Sequence, residues 1–126
     1  MKLILLSFLG LLLCLFTQAQ CCTYTINMTD SYGDGWNGGE LEILINGESI
    51  GFFAAEEYGS FEMFEVCQED IIEFMYSSGD YENENEYQLF DSAGLLVTQD
   101  GPNPEVGSAF SGIGDCNTEA ILGSIA

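Results

Sequence analysis

The chain reads as an all-β protein: a small, disulfide-bonded antiparallel β-sandwich, jelly-roll-like, of about seven or eight strands. Three observations predict it. Runs of β-branched and aromatic residues recur about every 8 to 12 residues, broken by Gly, Asn, Asp and Ser. No stretch of the body carries the 3.6-residue period of a helix. Four cysteines (Cys21, Cys22, Cys67 and Cys116) span that body from end to end, and an even number in an exported chain reads as two structural disulfides.

The elements follow in order. Cys22 to Thr29 alternates, with Tyr24, Ile26 and Met28 on one face and Thr25, Asn27 and Thr29 on the other, which is a half-buried strand. A glycine-rich loop runs from Asp30 to Gly39. Glu40 to Ile45 is the second strand, and Asn46-Gly47 signals a type I′ hairpin into a third, Glu48 to Phe53. Ala54 to Ser60 turns the chain into a fourth strand, Phe61 to Val66. Ile71 to Tyr76, Glu86 to Phe90 and Leu95 to Gln99 are the fifth, sixth and seventh, with Ser92-Ala93-Gly94 as the turn before the last of these. An eighth, short strand falls near Ser108 to Ser111.

Residues 1–19 form a signal peptide: Lys2 is the positive start, Leu3 to Phe16 the apolar centre, and Thr17-Gln18-Ala19 the small-residue cleavage site. The apolar run is too short to span a bilayer, so the expected product is secreted, extracellular or at the cell surface, with no membrane segment after cleavage. Removing 19 of the 126 residues leaves 107, one domain over 20–117 with an apolar tail over 118–126. Adjacent cysteines rarely bridge each other. Cys21 and Cys22 are therefore expected to pair with Cys67 and Cys116, in either order. Asn27-Met28-Thr29 is in addition a glycosylation sequon.

Charge narrows the function further. The chain has 21 Asp and Glu against one Lys or Arg and no His, and the single base is Lys2. So acidic a surface excludes nucleic acid and anionic membranes as partners. It also argues against an enzyme, because the usual general bases, oxyanion stabilisers and phosphate clamps are missing. No side-chain salt bridge is available to the body. Its carboxylates must face water, accept backbone hydrogen bonds, or hold a cation from outside.

The acids cluster where a cation would sit. In Asp30-Ser31-Tyr32-Gly33-Asp34-Gly35-Trp36-Asn37-Gly38-Gly39, two carboxylates four residues apart flank glycine, and an amide follows three residues on. Calcium takes six to eight oxygens at about 2.3–2.6 Å, and it tolerates an irregular shell better than magnesium does. Zinc would want His or Cys. The loop is not an EF-hand, since Tyr32 and Leu41 stand where that motif needs acids and no flanking helices are evident. A second acidic-amide run, Asp80 to Tyr87, precedes the sixth strand. If its strand mouth meets the first loop, Asn83 or Glu84 completes the shell. The expected metal ligands are thus Asp30, Asp34, Asn37, Asn83 and Glu84, with Ca2+ as the ion.

The string from Cys22-Thr23-Tyr24-Thr25 through Asp30-Ser31-Tyr32-Gly33-Asp34-Gly35-Trp36-Asn37-Gly38 resembles a module of secreted proteins. That module is common in Bacteroidetes-type bacteria and recurs in some algal extracellular proteins. Its hallmark is D-S-[YW]-G-D-G-W-N-G after a strand that opens on cysteine. The Asn46-Gly47 hairpin, Tyr81-Glu82-Asn83-Glu84-Asn85 before a strand, Asp100-Gly101-Pro102 and a closing Cys116 extend the likeness over nearly all of the mature chain. The resemblance implies a disulfide-bonded sandwich with a calcium site at Asp30, Asp34 and Asn37, joined by Glu84. In larger relatives such modules decorate exported enzymes, adhesins and surface proteins.

Two functions are compatible with these residues. One is a structural subunit that binds other copies of itself and builds an extracellular fibre or surface layer, extended through a sheet edge or the tail. The other is a calcium-dependent carbohydrate-binding or adhesion module for an extracellular polysaccharide, with Tyr32, Trp36, Tyr58 and Tyr81 as loop aromatics able to stack on a sugar. For Trp36 the competing expectation is a plug at the end of the core, beneath the loop.

Overall fold

The computed structural model describes residues 19–117. The expected leader, apart from Ala19, and the apolar tail lie outside the described residues. Eight strands are present: β1 (Cys21–Asp30), β2 (Glu40–Ile45), β3 (Glu48–Phe53), β4 (Gly59–Cys67), β5 (Ile71–Ser77), β6 (Asn85–Phe90), β7 (Leu96–Asp100) and β8 (Gly107–Ile113). Among the described residues a single 3-10 turn, Glu82–Glu84, precedes β6. The expected sandwich is there: one sheet has the order β4-β1-β6-β7, the other β3-β2-β5-β8, and every neighbouring pair is antiparallel.

Period-2 patterning explains which side of each strand is buried. Tyr24, Ile26 and Met28 of β1, Phe64 and Val66 of β4, and Tyr87 and Leu89 of β6 form the inner face of the first sheet. Leu41 and Ile43 of β2 with Ile72, Phe74 and Tyr76 of β5 form that of the second. Each such side chain contributes about 1.5–3 kcal/mol by leaving water. The Asn46-Gly47 turn has φ of 52° and 80° at its two residues, so both central positions are left-handed, as a type I′ hairpin requires. β2 and β3 fall on the residues expected from either side of it.

Two disulfides close one end of the sandwich. Cys21 bonds Cys67, its direct partner in the β1–β4 register, and Cys22 bonds Cys116 beyond β8. The second cystine ties the first sheet to the segment that leaves the second. Around it, the Tyr24 hydroxyl accepts from the Asp115 N–H at 2.8 Å and donates to the Asp115 carbonyl at 3.0 Å. The Cys116 N–H donates to the Gln68 side chain at 2.7 Å. Such bonds persist in an oxidising environment. Among the described residues no helix is long and apolar enough to cross a membrane.

Candidate metal centre

The opposite end of the sandwich is built by three loops that meet. The first, Ser31 to Gly39, leaves β1; the second is Ala54 to Tyr58; the third is Ser78 to Glu84. The Asp30 N–H donates to the Tyr58 carbonyl at 3.0 Å, Ser31 to Glu84 at 3.0 Å, Gly35 to Glu57 at 3.1 Å, and Asp80 to Asn37 at 3.0 Å. β1 and β6 are neighbours with Asp30 opposite Asn85, so Glu84 necessarily stands beside the end of β1. The strand mouth therefore does meet the first loop.

Asp30 holds this end together. It continues the inward series Tyr24, Ile26, Met28, and only 1% of its surface is exposed. Its Oδ2 accepts the backbone N–H groups of Gly33, Asp34 and Gly35 at 2.7, 2.8 and 3.0 Å, which curls the loop around the carboxylate. The curl needs glycine. Gly35 has φ of 79°, and a Cβ there would lie 2.9 Å from the Ala55 carbonyl oxygen; Gly33, at φ of 98°, lies against the Tyr58 ring.

The other Asp30 oxygen, Oδ1, is buried and has no hydrogen-bond partner, and neither has Glu84 Oε2. Carboxylate oxygens of Asp30, Asp34 and Glu84 all lie within 4.8 Å of one another. Burial pushes the Asp30 carboxyl up, but hydrogen bonding, led by the N–H groups of Gly33 and Asp34, holds it below the usual carboxylate range. Glu84 is raised, first by burial and then by the charges of Asp30 and Asp34. Three acids converge with no base to separate them, a grouping that could hold a metal ion: oxygen donors only, one of them deep and unpartnered.

The remaining expected residues are placed as follows. Asn37 has φ of 48°, and its side-chain N–H donates to the Gly35 carbonyl at 3.1 Å, so it braces the loop from within. Asn83 is exposed in the 3-10 turn, one residue before Glu84. Tyr32 and Tyr81 line an open pocket of about 390 Å3 together with Asp34 and Glu84. Trp36 corrects one expectation: it cannot stack on a ligand. It is 1% exposed, its indole N–H donates to the Thr29 carbonyl at 2.8 Å, and its ring meets the edge of Tyr76 with centroids 5.7 Å apart. It plugs the core beneath the loop.

Sequence reasoning missed two residues. Asn85 is fully buried, donates to the Tyr76 hydroxyl at 2.9 Å and leaves its Oδ1 unpartnered. Its place on the inward parity of Tyr87 and Leu89 was the available signal. Glu82 is spent internally, accepting from the Tyr76 hydroxyl at 2.7 Å and the Gly79 N–H at 2.6 Å, which fixes the turn carrying Glu84. A second grouping of possible ligands, Cys21, Glu65 and Cys67, is no metal site, because its two sulfurs are bonded to each other. No family model matches the chain, and no curated protein or solved structure does either.

Proposed function

We propose that the protein is a secreted structural module whose sandwich is completed by calcium and which assembles with copies of itself into an extracellular fibre or surface layer. One observation carries the calcium reading. Asp30, Asp34 and Glu84 converge around unpartnered buried oxygens in a body with no side-chain cation. An all-oxygen donor set on an irregular loop suits a large, hard ion rather than magnesium or zinc. The likeness of the Asp30–Gly38 string to the loop of secreted modules points the same way, and the two disulfides suit an oxidising compartment.

Assembly is supported by the sheet margins. β8 is an edge strand whose residues, Gly-Ser-Ala-Phe-Ser-Gly-Ile, carry no charge or proline to discourage pairing. Phe61, Met63 and Leu96 are exposed on the first sheet. Calcium would screen the repulsion between such acidic copies. The chain's lack of His and Arg, and of Lys beyond Lys2, leaves it no catalytic role in this reading.

The test is thermal. Calcium at about 1,000 times its dissociation constant adds about 4 kcal/mol, so the melting temperature should rise sharply in calcium and fall back in chelator. Electron micrographs of the purified protein should show fibres or sheets in calcium and dispersed particles without it. Melting and hydrogen exchange unchanged by chelator would refute the ion; dispersed particles in both conditions would refute assembly.

A further inference from the structure

We propose that the pocket above the three carboxylates is a subsite for a neutral sugar. Two adjacent hydroxyls would complete the shell of the ion, and the rings of Tyr32 and Tyr81 would cover the sugar's C–H face. The inference rests on the calcium reading above and names the partner of that site.

The three carboxylates alone do not fill the shell of the ion. Asp30 Oδ2 already accepts three N–H groups, so Asp30 has only Oδ1 to offer. That atom is unpartnered, on a residue 1% exposed. Three carboxylates fall short of six to eight oxygens, and Asp34 and Glu84, which supply two of them, also line the pocket. Positions on that side fall to water or to hydroxyls from outside.

The walls have the matching chemistry. Tyr32 and Tyr81 are 71% and 65% exposed and lie in the same pocket as the acids. Neither ring gains much by burial, so core packing does not explain them. Tyr81 is moreover held at φ 59° and ψ 44°, a left-handed backbone that an aromatic residue seldom adopts. Tyr58 is exposed too, but its ring rests on Gly33. A volume of about 390 Å3 sits at the small end of the range for ligand sites, about 300–1,000 Å3. A pyranose ring, with an apolar face and a hydroxyl-bearing edge, presents both surfaces that the pocket asks for. The net charge of −20 disfavours uronic acids and sulfated sugars and selects a neutral one.

The experiment uses the purified protein in calcium and in EGTA. It is titrated by calorimetry with methyl α-D-mannopyranoside and methyl β-D-galactopyranoside, which offer differently oriented diols, and with a fully O-methylated glycoside as control. At least one of the two free glycosides should bind in calcium, with EGTA abolishing binding and the control inert. Tyr32→Ala and Tyr81→Ala should each weaken binding about tenfold while keeping the calcium-dependent rise in melting temperature. Absence of binding by both glycosides to protein that calcium does stabilise overturns the sugar subsite alone. So does binding that survives EGTA, or survives loss of both tyrosines. A melting temperature indifferent to calcium overturns the ion, and this inference with it.

Discussion

The two ends of the sandwich solve the same problem by opposite means. β1 connects them, running from Cys21 to Asp30, a span on the order of 30 Å. At its start, one cystine joins β1 to β4 within the first sheet, and the Cys22–Cys116 cystine with the Tyr24–Asp115 hydrogen bonds ties the sheets together covalently and with neutral partners. At its finish, the first of three meeting loops is curled around one carboxylate, and two more acids are brought beside it. All three buried side-chain oxygens without a partner among the described residues (on Asp30, Glu84 and Asn85) lie at this second end. The cystine end is complete as it stands. The loop end gathers three carboxylates whose mutual repulsion a cation or a proton on Glu84 would relieve, and this makes it the responsive end.

The largest effect should come from the covalent end. The Cys22–Cys116 bond encloses 94 residues of separation, and a loop near that size is worth about 4–5 kcal/mol. Cys22→Ala with Cys116→Ala should lose that much in urea denaturation, by the same amount with and without calcium. A loss that vanished in calcium would show the two ends to be energetically linked.

Next come the two aspartates, which divide the loop's work. Asp30→Ala strands three backbone N–H groups and should cost about 3 kcal/mol in chelator, and by removing Oδ1 it should also take away the calcium increment. Asp34→Ala touches none of those bonds and should remove only the calcium increment, whereas Glu69→Ala, remote from the cluster, should remove nothing. Equal behaviour of Asp30→Ala and Asp34→Ala would erase the distinction between cradle and ligand.

Alkaline titration probes both ends at once. Burial raises Tyr24 at the cystine end, and Tyr76 and Tyr87 at the loop end. A raised phenol keeps its proton in the fold, so its contribution is intact below the unfolded value of about 10 and is lost as pH climbs above it. Ultraviolet titration should show these three phenolates emerging only together with loss of near-ultraviolet dichroism.

The smallest change is expected from Glu84→Gln. Glu84 is raised because burial and two neighbouring acids oppose its charge. The amide should therefore raise the melting temperature without calcium and shrink the gain on adding it.

Much of the scaffold could be read from single residues. Asn46-Gly47 set the pairing of β2 with β3 beside the turn, Ile45 opposite Glu48 and Leu44 opposite Ser49, and a bulge between Ile43 and Leu44 shifts the register beyond it. β7 begins at Leu96 rather than Leu95, because the Asp91 carboxylate accepts the Leu95 N–H at 2.9 Å and holds it in the turn. β4 runs longer than its hydrophobic pattern, since Gly59 pairs with Thr29 and Cys67 with Cys21 across the register with β1. That same register decides the disulfide order, which spacing alone could not. The meeting of Asp34 with Glu84, fifty residues apart, was legible only as a condition, because it needs β1 and β6 to be neighbours. The burial of Asp30 was open to reading by parity with Tyr24, Ile26 and Met28, had the strand been extended by one residue.

The Cys22–Cys116 bond also sets how the molecule carries load. Tension applied at Gln20 and Asn117 would pass through that cystine within a few residues of entering and leaving. The intervening strands, shunted out of the path, would neither unzip nor lengthen before sulfur parts from sulfur. Strung end to end by its flanks, such a unit behaves as an inextensible link, with the cation-holding loops spared the pull.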